Sequence, residues 1–145
     1  MARRPRSEIQ EVLRGVPLFS HLSKGELREL AKLCFEEVYE TDQVILKQLE
    51  EAQHMVAIIT GRARVTRDGR SVATVGAGDV IGEMALIDGL RRSAAVVAET
   101  RVEGVVLHRT AFLKLLDSNP SIARSLLLAQ TARLREADRK LGALG

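Results

Sequence analysis

Glu83 and Arg92 stand nine positions apart in Ile81-Gly82-Glu83-Met84-Ala85-Leu86 through Arg92-Ser93-Ala94-Ala95. An ionised glutamate only accepts hydrogen bonds, so it suits a sugar hydroxyl and not a phosphate. A guanidinium offers a charge-assisted fork to phosphate oxygens. Gly82 lets the main chain approach a ligand closely. Glu83 to Ile87 contains neither proline nor glycine, and the spacing predicts a one-turn helix whose first N–H groups favour an anion. Ser93 adds a hydroxyl, and the N–H groups of Ser93 and Ala94 can complete an anion nest. These residue types suit the holding of a nucleotide, by binding and not by catalysis. On spacing alone, a plain Glu83–Arg92 salt bridge across the Asp88-Gly89 turn explains the same residues.

The elements around the segment must position it. The chain has 145 residues, enough for one domain with a core, at 46% hydrophobic and 28% charged residues. The 3% aromatic content, with no Trp, leaves few platforms on which single-stranded nucleic acid could stack. The net charge is +3, and Arg3, Arg4 and Arg6 supply as much, so the body is nearly neutral. A basic nucleic-acid-binding face is not indicated. Cys34 is the single cysteine, which excludes an intrachain disulfide and a cysteine-rich zinc site. Its place in Leu33-Cys34-Phe35 reads as the buried end of a helix. No apolar run reaches transmembrane length and no signal-peptide core follows the basic start, so a cytoplasmic location is expected.

Residues 7–34 read as helical. Ser7 with Gln10, and Ser23 with Glu26, have capping-box spacing; Leu22 and Leu27 form a hydrophobic staple, and Gly15 is a stop. Residues 35–109 break into short β-branched runs divided by turns, of which Asp68-Gly69 is a type I′ hairpin signal. Residues 110–142 return to helix. Thr110 caps a helix to Ser118, and Asn119-Pro120 starts a longer one through Leu141. In that last helix Ala123, Leu127, Gln130, Leu134, Ala137 and Leu141 follow a four–three spacing. This pattern fits either a coiled-coil seam or a helix lying on its own domain. His21, His54 and His108 lack metal-ligand spacing, and no nucleophile–base arrangement with a local signature is present.

The stretch 81–95 closely resembles the phosphate-binding cassette of cyclic nucleotide-binding domains, as in catabolite activator-type regulators, protein kinase A regulatory subunits and cyclic nucleotide-gated channels. Val16-Pro17-Leu18-Phe19, Ile58-Ile59-Thr60-Gly61-Arg62-Ala63 and Thr110-Ala111-Phe112 to Asn119-Pro120 are similar to the family's flanking elements. The resemblance implies one mainly β domain with flanking helices (α+β) over 1–145. It would be an eight-stranded β jelly-roll barrel with N-terminal helices and C-terminal B and C helices. It also implies that Glu83 holds a ribose 2′-hydroxyl and Arg92 the cyclic phosphate, with Gly82, Met84, Ala85, Ser93 and Ala94 completing the site. Ile81, and Arg133 or Arg139 stacked on the purine from the C helix, are further candidates.

The ligand so implied is cAMP, with cGMP as the alternative and no metal. The function implied is a sensor signalling through its terminal helices, not an enzyme. A homodimer through the last helix is one of the two readings of its spacing; no membrane is expected, and no nucleic acid bound by this chain alone. The alternative is the sensor part of a larger regulator, channel or enzyme whose output domain lies outside residues 1–145. Two departures stand out. Arg91 occupies the position where the family usually has proline. Leu49-Glu50 replaces an early glycine turn, so that turn is expected to be remodelled, since Leu disfavours left-handed geometry.

Overall fold

The computed structural model describes residues 4–51, 53–83 and 85–144. Helix α1 (Arg6–Arg14), a 3₁₀ turn (Pro17–Phe19) and α2 (Lys24–Ala31) open the chain. Ser23 caps α2 as expected: its hydroxyl accepts from the Glu26 N–H at 3.1 Å, and the Glu26 carboxylate accepts from the Ser23 N–H at 2.8 Å. Ser7 does not cap α1. Pro5 takes the N-cap position, and its carbonyl accepts from the N–H groups of Glu8 and Ile9, so the helix begins one residue before Ser7. The ring of Pro5 fixes φ and lacks an N–H that would otherwise need a partner, which favours this start.

Eight strands follow: β1 (Phe35–Tyr39), β2 (Val44–Leu46), β3 (His54–Thr60), β4 (Arg62–Arg67), β5 (Arg70–Gly76), β6 (Val80–Ile81), β7 (Ala95–Ala98) and β8 (Val102–His108). They form two antiparallel four-stranded sheets, in the orders β1-β8-β3-β6 and β2-β7-β4-β5. That is the expected eight-stranded jelly-roll order, with the ladders of the described residues falling into two sheets. Asp68 and Gly69 both have positive φ (53° and 79°), as the hairpin signal requires.

The first sheet is covered on both faces, which explains the apolar run of β3. Val56 and Ile58 point between the sheets, joining Ala63, Val96, Ala98, Val102 and Val106. Met55 and Ala57 point the other way, into a layer with Leu13, Leu18, Phe19, Leu27, Leu30, Val105 and Leu107. Period-2 alternation, with both sides buried, erases the polar–apolar pattern expected of a half-exposed strand.

The short helix α3 (Ala85–Asp88) enters that second layer through Leu86, which is fully buried with Phe112 of α4 (Arg109–Ser118) and with Ile122 and Leu126 of α5 (Pro120–Leu144). Helix α4 begins one residue earlier than its Thr110 signal, with His108 at the cap position. Helix α5 starts at Pro120 as expected. It buries Ile122, Leu126 and Ala129 against the domain, whereas every residue from Thr131 to Gly142 is exposed. Leu127, Leu134 and Leu141 are each about two-thirds exposed. The two readings of this helix therefore divide along its length. Its start lies on the domain with a different face from the seam, and the seam stays open. No helix among the described residues is long and apolar enough to cross a membrane.

Candidate functional site

Arg92 sits between the β6–α3 turn and β7, and it is buried, with 8% of its surface exposed. Its guanidinium donates to the main-chain carbonyl of His54 at the start of β3. Gly82 makes room for it. At φ +79° the glycine adopts a conformation that side chains disfavour, and a Cβ there would collide with the Arg92 guanidinium and come within 3.1 Å of the His54 carbonyl. The Arg92 main chain is fixed too: its N–H donates to the Glu50 carbonyl and its carbonyl accepts from the Leu49 N–H, both at 2.9 Å. Among the described residues no carboxylate makes an ion pair with Arg92. Burial works against its charge, and the field of Glu50 offsets this only in part.

Glu83 lies apart from Arg92, so the simple salt bridge that spacing allowed is not formed. One Glu83 carboxylate oxygen accepts from the Leu18 N–H at 3.3 Å, and the other lies 3.6 Å from the Arg133 guanidinium of α5. The carboxylate is 16% exposed. It thus joins the 3₁₀ turn to the last helix at the point where α5 leaves the domain. Arg139 pairs instead with Glu136 at 2.9 Å on the bare half of α5, remote from the cassette contacts.

An open pocket of about 520 Å³ lies along the segment, within the ordinary size of ligand sites. Arg92, Ser93, Ala94, Gly82 and Ile81 line it, with Val65, Val80 and Val96 as apolar wall. Ile81 is buried, Ala94 half-buried and Ser93 exposed. Ala85 opens α3, two residues after the expected start at Glu83, and the Leu86 N–H donates to the Glu83 carbonyl at 3.2 Å. Met84 lies outside the described residues.

Three contributors were not assigned to the site from sequence. His54, which lacks metal-ligand spacing, opens β3 cross-strand from His108, and its carbonyl holds Arg92. Burial, then the Arg92 cation, then His108 push the His54 imidazole down to about 4, so it is neutral beside the guanidinium. No side-chain signal marks such a carbonyl. Leu49 was expected to force a remodelled turn; it instead takes the left-handed conformation itself, at φ 69°. The paired hydrogen bonds to Arg92 hold it there. Arg67 reaches the cassette from β4, donating from Nε to the Ser93 carbonyl at 3.2 Å. Cys34 was expected at the buried end of a helix; it lies three residues past the end of α2 and is half-buried, and burial pushes its thiol up to about 12, which disfavours a nucleophilic thiolate at neutral pH.

The family model of the cyclic nucleotide-binding domain matches residues 36–119. The chain belongs to this family. Its sequence is 33% identical over 138 residues to the cyclic AMP receptor protein of Thermus thermophilus, covering 91% of this chain and 63% of that protein. It is 34% identical over 113 residues to the cAMP-dependent protein kinase regulatory subunit of Yarrowia lipolytica, covering 77% of this chain and 30% of that one. The N-terminal domain of a transcriptional regulator from Streptomyces coelicolor A3(2) superposes with a TM-score of 0.80 at 28% identity, over 88% of this chain and 95% of that domain. The chain spans 63% of the length of the first of these relatives and 30% of the second.

Proposed function

We propose that this cyclic nucleotide-binding domain binds cAMP as a regulatory sensor, with Arg92 on the cyclic phosphate and Glu83 on the ribose 2′-hydroxyl. The observation that carries the reading is Arg92 itself. A buried guanidinium with only a neutral carbonyl for a partner favours an anion at the pocket wall. A phosphodiester oxygen is a stronger acceptor for that cation than an amide carbonyl. Gly82, Met84, Ala85, Ser93, Ala94 and Ile81 complete the cassette, and Val65, Val80 and Val96 suit the apolar parts of the nucleoside. cGMP is the alternative ligand, since Ser93 offers its hydroxyl to either.

Signalling follows from what Glu83 already touches. A ribose hydroxyl at Glu83 competes with Leu18 and Arg133, so binding shifts the 3₁₀ turn and α5 relative to the roll. A ligand moves such an equilibrium only through its different affinity for the two arrangements. Arg133, released from Glu83, is then placed to stack on the purine; Arg139 is a weaker candidate, since Glu136 occupies it. The module is regulatory and not catalytic, acts in the cytoplasm, and serves as the sensing part of a larger regulator. Its last helix pairs with a second copy through Leu127, Leu134 and Leu141, whose seven-residue spacing is that of a coiled-coil seam.

Calorimetric titration with cAMP and cGMP tests the assignment. The expected result is saturable binding that Arg92→Ala weakens far more than Arg91→Ala. Absence of heat and of competition at submillimolar nucleotide would reject the ligand, and equal losses would reject Arg92 as the phosphate partner. Sedimentation of Leu134→Lys against the unaltered chain tests the helix pairing. A dimer that survives this substitution would place the interface elsewhere.

A further inference from the structure

Beside Arg92, two more guanidiniums rest on main-chain carbonyls of the cassette and of the 49–51 loop. Arg91 lines the pocket and donates from Nη1 to the Leu49 carbonyl at 2.9 Å. Arg67 donates from Nε to the Ser93 carbonyl at 3.2 Å. Ser93, whose side chain is exposed, follows Arg92 directly, so the cations flank one edge of the phosphate subsite. Each guanidinium carries five N–H donors, and these single bonds leave most of them for a ligand.

The rim is rigid. Residues 49–51 and 91–92 pair through Leu49 N–H to Arg92 carbonyl, Arg92 N–H to Glu50 carbonyl, and the Glu51–Arg91 bridge. Gln48 ties this loop to the β4–β5 turn by two hydrogen bonds with Asp68, at 3.0 and 3.1 Å. Four carboxylates stand at this rim, Glu50 and Glu51 in the loop itself and Asp68 and Asp88 beside it, and none of them makes an ion pair with Arg67, Arg91 or Arg92. Asp68 faces Gln48, and Asp88, which lines the pocket, accepts from the Leu90 N–H at 2.9 Å.

The charge balance differs from that of neighbouring surfaces. On the same strand as Arg67, Arg62 and Arg64 share the carboxylate of Glu99, at 2.7 and 3.7 Å. Arg4 is held by Glu36 and Glu103 at 2.9 and 2.8 Å. Neither Arg67 nor Arg91 has an ion-pair partner among the described residues; both rest on main-chain carbonyls. A cyclic phosphate carries one negative charge, which Arg92 alone matches. Three fixed cations with neutral anchors exceed that need.

We propose that Arg67 and Arg91 form a second phosphate subsite at the pocket rim, so that the ligands of this domain include purine nucleotides bearing two separate phosphate groups. The proposal rests on the nucleotide reading of the pocket and widens it beyond the single phosphodiester.

The test is calorimetry at one fixed ionic strength with cAMP, 5′-AMP and adenosine 3′,5′-bisphosphate. The proteins are the full chain, Arg67→Gln/Arg91→Gln, and the remote charge control Arg28→Gln/Arg124→Gln. Glutamine keeps an N–H donor for the carbonyl, and thermal melting of each variant verifies folding. The bisphosphate is expected to bind roughly tenfold or more tighter than 5′-AMP. That advantage is expected to vanish in the rim variant and persist in the control. A bisphosphate no tighter than 5′-AMP, or an advantage that survives the rim variant, overturns the second subsite. If cAMP binds normally in that case, the cyclic nucleotide reading stands and only the rim proposal falls. Binding of the bisphosphate without binding of cAMP supports the rim and rejects the cyclic phosphate, and binding of neither rejects both.

Discussion

The two ends of the cassette are anchored to different parts of the molecule. Arg92 belongs to the β roll: its side chain rests on the β3 carbonyl of His54, and its main chain pairs with the 49–51 loop. Glu83 belongs to the helical layer: its carboxylate joins the Leu18 N–H to Arg133 of α5. One end is buried and locked by glycine geometry, the other by a long, partly exposed ion pair. A ligand that needs both ends must connect a rigid part to a movable one. This contrast gives a sensor its means of response, since the strong contact supplies affinity and the weak one supplies the shift.

The largest effect that would break this contrast comes from the shared anchor. Leu86→Ala removes the side chain by which α3 enters the helical core, and is expected to cost about 2–5 kcal/mol in chemical denaturation. A loss under 1 kcal/mol would mean that the cassette helix is not held by that core.

Arg92→Ala is expected to weaken cAMP binding by roughly a hundredfold, and Glu83→Gln by about tenfold, in calorimetry. Arg133→Ala is expected to change affinity by less than about fivefold, since partly exposed ion pairs contribute little. Its signature is faster amide exchange in α5 beyond Thr131. If Arg133→Ala abolishes binding, α5 is part of the primary site and the division into two anchors is wrong.

Acid sharpens the locked end. The His54 imidazole falls from its ordinary 6.5 to about 4 in the fold, through burial first and then the Arg92 cation. The unfolded chain therefore binds more protons between these values, and stability falls as pH drops from about 6.5 towards 4. His54→Gln is expected to flatten that slope in pH-dependent melting; an unchanged slope would assign the acid sensitivity to other groups.

The smallest effect is at the 49–51 loop. Leu49→Gly relieves a left-handed leucine and is expected to stabilise the fold by roughly 0.5–1 kcal/mol, after the entropy of glycine in the unfolded chain is counted.

The elements legible in sequence were those specified locally. The Ser23–Glu26 box, the Asp68-Gly69 turn and Pro120 at the start of α5 each satisfy main-chain groups within a few residues, so spacing reveals them. The start of α1 was displaced because Pro5 takes the N-cap position, its carbonyl accepting from the Glu8 and Ile9 N–H groups, which puts Ser7 inside the helix. Within the cassette, residue chemistry marked Arg92 and Gly82, and the pocket contains both. The partners of the two charged groups were not legible. They come from main-chain atoms of His54 and Leu18 and from a side chain 50 positions along the chain, contacts that exist only once the sheets and helices have packed.

The central claim is that one ligand engages both anchors, and a thermodynamic cycle tests it most directly. cAMP and 2′-deoxy-cAMP are titrated against the unaltered chain and against Glu83→Gln. The account predicts that loss of the 2′-hydroxyl weakens binding about tenfold or more in the unaltered chain, and hardly at all once Glu83 is replaced. The same loss in both proteins would contradict it, because Glu83 would then make no contact with the ribose.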